Sequence, residues 1–194
     1  MKVSRLSNIL VLAILLLPAF STPKNIILMI GDGMGTEVVT AAGAYKYGKD
    51  YKSFGGKSIL SMQTLTGHKY VTTYSSEGKG YDFGWNGGDV KYVMKDFVDS
   101  AAAASAMATG VKTYNQGIAV DPRKRNVTTI IELAQKSGMK TGVVTTVQFC
   151  HATPAGFSAH NENRNNYSQL AHDMIYNISP DVIIGAGNPD VVGT

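Results

Sequence analysis

Two short stretches of the 194-residue chain carry side chains suited to chemistry on an anion. In "KDFVDSAAAASAMATGVKTYN" (95–115), Asp99 and Ser100 stand at the head of a run of alanine and serine. Asp or Ser in that place caps free backbone N–H groups at a helix start. A serine there also lies at the positive end of the helix dipole, where N–H groups point at any bound anion. Its hydroxyl could attack a phosphate, but it needs help to ionise. No G-x-S-x-G elbow and no evident Ser-His-Asp order is present, which leaves metal coordination as the activator. In "GDGMG" (31–35), Gly31 and Gly33 let the backbone turn sharply and leave the Asp32 carboxylate projecting. Asp oxygens suit both Mg²⁺ and Zn²⁺, while a plain tight turn closed by an Asx bond explains the same residues. The spacing G-x-G-x-G does not match the dinucleotide fingerprint. Cys150 beside His151 is a single adjacent pair and reads as a buried or semi-buried structural thiol rather than a catalytic one.

These residues need elements to position them. "NIILMIGDGMG" (25–35) predicts a buried parallel strand over 25–30 that runs into the turn at Asp32, because it is apolar on both faces. "TEVVTAAGAYKYG" (36–48) has helical spacing, with Thr36 as its cap and Gly48 as its stop. "YVTTYS" (70–75) reads as a β-branched strand, and the glycine- and aromatic-rich stretch 76–92 as a surface loop leading to Ser100. The residues 126–138 form a helix with Thr129 and Glu132 spaced as a capping box and Gly138 at its end. A buried strand follows at 139–147, a helix at 166–177 and a strand at 181–187. Alternating strands and helices with short connections predict an α/β fold: a parallel-rich central sheet with helices on both faces. In such sheets ligands bind beyond the carboxyl ends of the strands, where "GDGMG" and "VQFCHATPAG" fall. His68 and His160 read as solvated loop residues, and His172 and Asp173 as the exposed face of a helix.

Composition narrows the class. The apolar fraction of 44% and the charged fraction of 16% suit a globular domain rather than a disordered or fibrous chain. The first 21 residues show a short basic region, nine uninterrupted apolar residues from Ile9 to Leu17, and small residues after Pro18. That is the layout of a secretory signal peptide, cut near Thr22 and short of the about 20 apolar residues of a spanning helix, with an uncleaved anchor as the alternative. The expected domains are therefore a signal peptide over 1–21 and an exported, periplasmic or extracellular domain over 22–194. Without Lys2 and Arg5 the 18 basic residues fall to 16 against 14 acidic ones. Such a balance gives no charge argument for nucleic acid. A single cysteine excludes an internal disulfide, so stability comes from packing and from any bound metal.

"NIILMIGDGMG", "VDSAAAASAMATGVKTYN" and "HATPAGFSAHNENR" together resemble the alkaline phosphatases, in the same order and with similar intervals. The serine signature is highly specific, and the likeness runs from about Lys24 to about Asn188. The resemblance implies phosphomonoester hydrolysis through a phosphoserine, with two Zn²⁺ and one Mg²⁺. Ser100 resembles the nucleophile and a zinc ligand, and Asp32 the carboxylate shared between the Mg²⁺ site and a Zn²⁺ site. Thr153 is similar to the hydroxyl ligand of Mg²⁺, and His151 falls where family members carry Asp or His and acts around the metals rather than on them. Arg164 resembles the guanidinium that grips two phosphate oxygens, a task that suits its fork better than a lysine. The small side chains after Ser100 would let their helix pack close beneath the metals, and a homodimer is a further family expectation.

The family's later ligands, a Glu, an Asp-x-x-x-His element, an Asp-His pair and a further His, have no counterpart in these 194 residues. The expectation is therefore the N-terminal part of the catalytic domain, encoding a phosphatase, with little activity in this chain alone. A sulfatase or phosphomutase relative would share the metal-bearing sheet, but "DSAAAASAMATG" is the phosphatase form. A non-catalytic phosphate-binding remnant using Ser100, Arg164 and the helix dipole is the other class, distinguished by the absence of covalent labelling.

Overall fold

The computed structural model describes residues 24–67, 69, 71–78, 80 and 97–187. The signal segment, His68, Tyr70 and most of the loop expected over 76–92 lie outside the described residues. The chain divides into two compact units after Gly31. In the first, residues 24–31 are exposed and form no strand, with Met29 at 90% exposure. The strand expected over 25–30 is thus corrected: strands exist through ladder partners and covered faces, and none is provided to this apolar run among the described residues of its unit.

The second unit begins at Asp32. Helix α1, Thr36–Tyr47, starts from Gly35 without a side-chain cap, so Thr36 is its first residue rather than its cap. It stops at Gly48, whose φ of 55° releases the chain and whose N–H bonds the Ala44 carbonyl. Short 3₁₀ turns follow at Gly48–Asp50, Lys52–Phe54 and Ser61–Thr64. They fold Tyr51 onto Gly43, where a Cβ would collide with the ring. Gln63 Nε2 donates to the buried Tyr51 hydroxyl at 2.9 Å. The described part of the strand expected over 70–75 makes no ladder; instead Lys112 Nζ sits 3.8 Å from the Tyr74 ring centroid and donates to the Tyr74 carbonyl.

Helix α2, Ser100–Thr109, is the small-residue run. Its Ala101, Ala102, Ala104, Ser105 and Ala108 are buried, and it packs against α4, Ala152–Ser158. The approach is close because both partners are small: a Cβ on Gly156 would lie 2.8 Å from the Ala104 Cβ. The alanines therefore serve a helix-to-helix contact. Helix α3, Ile130–Lys136, begins with the expected capping box between Thr129 and Glu132, and the chain leaves it through Gly138 at a φ of 77°.

Strand β1, Gly142–Gln148, pairs in parallel with β2, Val182–Ala186, with Val143 opposite Ile183 and Val144 opposite Ile184. Between them run α4, α5 (Tyr167–His172) and a π-helical turn, Asp173–Ile178. Helix α4 is an element the sequence reading missed; its "ATPAGFS" has no apolar stripe, yet nearly all of it is buried. The parallel α/β class holds. Period two sends Val143 and Ile183 into the core with Ala101, Ile118, Cys150, Leu170 and Met174. Val144 and Ile184 face outward at 71% and 56% exposure. Cys150 is fully buried, as expected of a structural thiol.

Candidate active site

The N-terminus of α2 is held by Asp99. Its Oδ1 accepts the Ala102 N–H at 2.9 Å, the capping bond read from sequence. Its Oδ2 accepts two more bonds, from the Gln116 N–H at 2.9 Å and from Arg164 Nη1 at 3.2 Å. The same Nη1 donates to Ser100 Oγ at 2.9 Å. A guanidinium only donates, so Ser100 presents a lone pair to it and keeps its own proton free to point elsewhere. Asp99 and Arg164 form an ion pair with both side chains less than one-fifth exposed, which fixes the fork beside the hydroxyl. The link between Asp99 and Arg164 had no signal in the sequence, where the two stand 65 positions apart.

On the far side of the fork, Arg164 Nη2 meets His151 Nε2 at 3.3 Å. Because the guanidinium donates, Nε2 must accept there. The proton of the neutral ring then sits on Nδ1, which is buried and has no hydrogen-bond partner among the described residues. Burial holds the imidazole below the ordinary histidine range, the Arg164 charge pushes in the same direction, and the Asp32 carboxylate opposes them.

Asp32 follows Gly31 in a turn where Gly33 has a φ of 66°. Its Oδ2 accepts the Thr153 hydroxyl at 2.9 Å across 121 positions, so the turn is not closed on itself by this carboxylate oxygen. Thr153 lies in the first turn of α4, directly after His151 at the N-cap and Ala152. Ser100, Arg164, His151, Asp32 and Thr153 thus lie in one neighbourhood, joined by hydrogen bonds in two adjoining groups, with His151 next to both. His160 is a different case. Its side chain is 10% exposed, with Nδ1 2.9 Å from the Ala119 carbonyl and Nε2 3.2 Å from Glu132 Oε2, so it is packed against neighbours and not a solvated loop residue. His172 is exposed as expected, whereas Asp173 is half-buried and accepts the His160 N–H.

Asp32 Oδ2 and Thr153 Oγ1, a hydrogen-bonded pair 2.9 Å apart, are both oxygen donors of the kind a hard cation such as Mg²⁺ takes. Among the described residues no three His, Cys, Asp or Glu side chains converge, so they do not assemble a zinc site with three protein ligands.

The family profile described as Alkaline phosphatase matches residues 23–191. The chain belongs to the alkaline phosphatase family. It is 36% identical over 170 residues to Alkaline phosphatase 3 of Bacillus subtilis, covering 84% of this chain and 32% of that protein. With the Escherichia coli alkaline phosphatase it shares 41% identity over 148 residues, 76% of this chain and 28% of the relative. Among solved structures, the cold-active alkaline phosphatase of a psychrophilic Shewanella superposes with a TM-score of 0.65 at 40% identity, covering 82% of this chain and 35% of that one. The alkaline phosphatase of the Antarctic bacterium TAB5 follows with a TM-score of 0.60 at 32% identity, covering 79% and 37%. Solved variants of that Antarctic enzyme, with a histidine replaced by Asp or Glu, hold Mg in a site named M3. The chain spans about a third of the length of these alkaline phosphatases.

Proposed function

We propose that the chain encodes phosphomonoester hydrolysis through a covalent phosphoserine at Ser100. The observation that carries this reading is the 2.9 Å bond from Arg164 Nη1 to Ser100 Oγ, with Asp99 bracing the fork. A phosphate monoester offers two oxygens to the Arg164 fork while its phosphorus faces Ser100. The N-terminus of α2 adds partial positive charge beside the same oxygens. Ser100 Oγ attacks phosphorus and gives its proton to solvent as the alkoxide leaves on the opposite side and takes a proton from solvent; water then attacks the phosphoserine, releasing inorganic phosphate and restoring the Ser100 hydroxyl. Asp32 and Thr153 would hold Mg²⁺, which supplies positive charge next to the reacting group when bound. The two Zn²⁺ of the family chemistry would have Asp32 and Ser100 as ligands from these residues, fewer than the three protein ligands of a catalytic zinc, and turnover by these residues alone is expected to be low.

The test is covalent labelling. Incubation with a labelled phosphomonoester at acid pH, followed by quenching and peptide mapping, should place phosphate on Ser100 and leave Ser100→Ala unlabelled. Reversible phosphate binding without label would favour the phosphate-binding remnant instead. Export is part of the same proposal, checked by N-terminal sequencing of the secreted chain with a cut near Thr22. No helix among the described residues is long and apolar enough to cross a membrane. A homodimer remains a family-based proposal, to be read by sedimentation, and nucleic acid is not an expected partner.

A further inference from the structure

The backbone of Gln116 stands between the two residues that fix the candidate phosphate site. Its N–H donates to Asp99 Oδ2 at 2.9 Å, and its carbonyl accepts the Arg164 N–H at 2.8 Å. Gln116 has a φ of 78°, a left-handed setting that glycine adopts freely and a residue with a Cβ resists. Rotation about φ turns the peptide plane carrying the N–H relative to the one carrying the carbonyl. Reversing its sign therefore breaks at least one of the two bonds. The residues on its N-terminal side act on the same two segments. Asn115 Oδ1 accepts the Asp99 N–H at 3.0 Å while its Nδ2 donates to the Phe97 carbonyl at 2.9 Å. Tyr114 Oη donates to the Glu162 carbonyl at 2.9 Å, two residues before Arg164.

We propose that Asn115 and Gln116 form a bracket that sets the Arg164 guanidinium against Ser100 before phosphate arrives, with Gln116 a positioning residue acting through its left-handed backbone. The inference rests on the reading of Ser100 and Arg164 as the phosphate site. A strained φ held only for the sake of a turn would not need both backbone groups of one residue to end on site residues; backbone strain of this kind is kept where the surroundings over-determine it. Fixing the fork in advance removes the cost of ordering it on binding.

The experiment uses the full chain labelled with ¹⁵N-arginine, the Arg164 guanidinium signals being assigned by their loss in Arg164→Lys. Hindered rotation of the Arg164 Nη groups reports whether the fork is held, and inorganic phosphate is titrated in parallel. Gln116→Gly, which keeps the positive φ, should retain hindered rotation and hold phosphate affinity within about twofold. Gln116→Val, which disfavours that φ, should average the Nη signals and weaken phosphate by about tenfold or more. If Gln116→Val does not fold by circular dichroism, Asn115→Ala serves, with the same averaging expected. A folded Gln116→Val or Asn115→Ala with wild-type Arg164 signals overturns the bracket. If Arg164 is held in the wild type and released in the variants, yet phosphate causes no shift in any of them, the bracket stands and the phosphate reading falls.

Discussion

Arg164 touches Asp99, Ser100 and His151 at once, through Nη1 to the first two and Nη2 to the third. Its removal should therefore cost more than one hydrogen bond. Arg164→Ala is expected to weaken inorganic phosphate by about 10- to 100-fold, the range for losing charge-assisted bonds. Arg164→Lys should recover only part, because a point charge cannot span two oxygens. Calorimetric titration reads both, and equal affinities for Lys and Arg would remove the fork from the site. A second residue-scale expectation concerns pH. The Asp181 carboxyl is held below its ordinary value of 3.8, first by the Lys140 side-chain bond and then by the Thr141 N–H. The folded chain thus binds fewer protons there than the unfolded chain. This contribution is present above about pH 3.8 and lost as pH falls through the folded value. Asp181→Asn should flatten the acid limb of the stability curve, seen as urea midpoints that no longer fall as steeply below about pH 4. The effect is small because Lys140 is exposed.

At the scale of elements, the contact between α2 and α4 holds the site residues at their N-termini in place. Its tolerance is narrow where Gly156 meets Ala104. Gly156→Val is expected to destabilise the fold by about 1–3 kcal/mol through overpacking, measured by chemical denaturation. Ser105 ties α2 to the segment behind it. Its Oγ donates to the Gly117 carbonyl at 3.1 Å and accepts the Ala119 N–H at 2.8 Å, with the side chain buried. Ser105→Ala would strand a buried N–H and should cost about 1–3 kcal/mol. If thermal and urea unfolding both leave Ser105→Ala at wild-type stability, that link is dispensable. These helix contacts explain the alanine run more directly than the metals do, since its buried small residues meet another helix. The signal for α4 itself was weak, because a short helix covered on several sides has no amphipathic period to read.

At the scale of the molecule, the described sheet turns one face into the core, and nothing among the described residues covers Val144 and Ile184 on its other face. Val144 and Ile184 are register neighbours on the outward face, both more than half exposed. Apolar surface of this kind favours self-association. Val144→Thr combined with Ile184→Thr keeps β-propensity while lowering apolarity. The pair should reduce light scattering at high concentration with little change in Tm. Scattering that does not change would place the adhesive surface elsewhere.

Much of this protein was legible in its residues alone. The Thr129–Glu132 capping box, the Asp99 cap and the parallel strands around Val143 and Ile183 follow from local hydrogen-bonding chemistry and short-range periodicity, which the sequence carries directly, and the burial of Cys150 from the apolar habit of a lone thiol. The grouping of Ser100, Asp32, Thr153, His151 and Arg164 came from motif likeness, not from any spacing that physics would force. Only the tertiary structure decided which groups meet: that Asp99 braces Arg164, that Thr153 reaches Asp32, that His160 is packed against Glu132, and that residues 25–30 form no strand. The reason is physical. A cap or a strand period is set within a few residues, whereas an ion pair across 65 positions depends on how whole helices pack. A residue such as Gln116 shows the same limit, since the left-handed backbone that bonds Asp99 and Arg164 is imposed by its partners and not announced by a glycine.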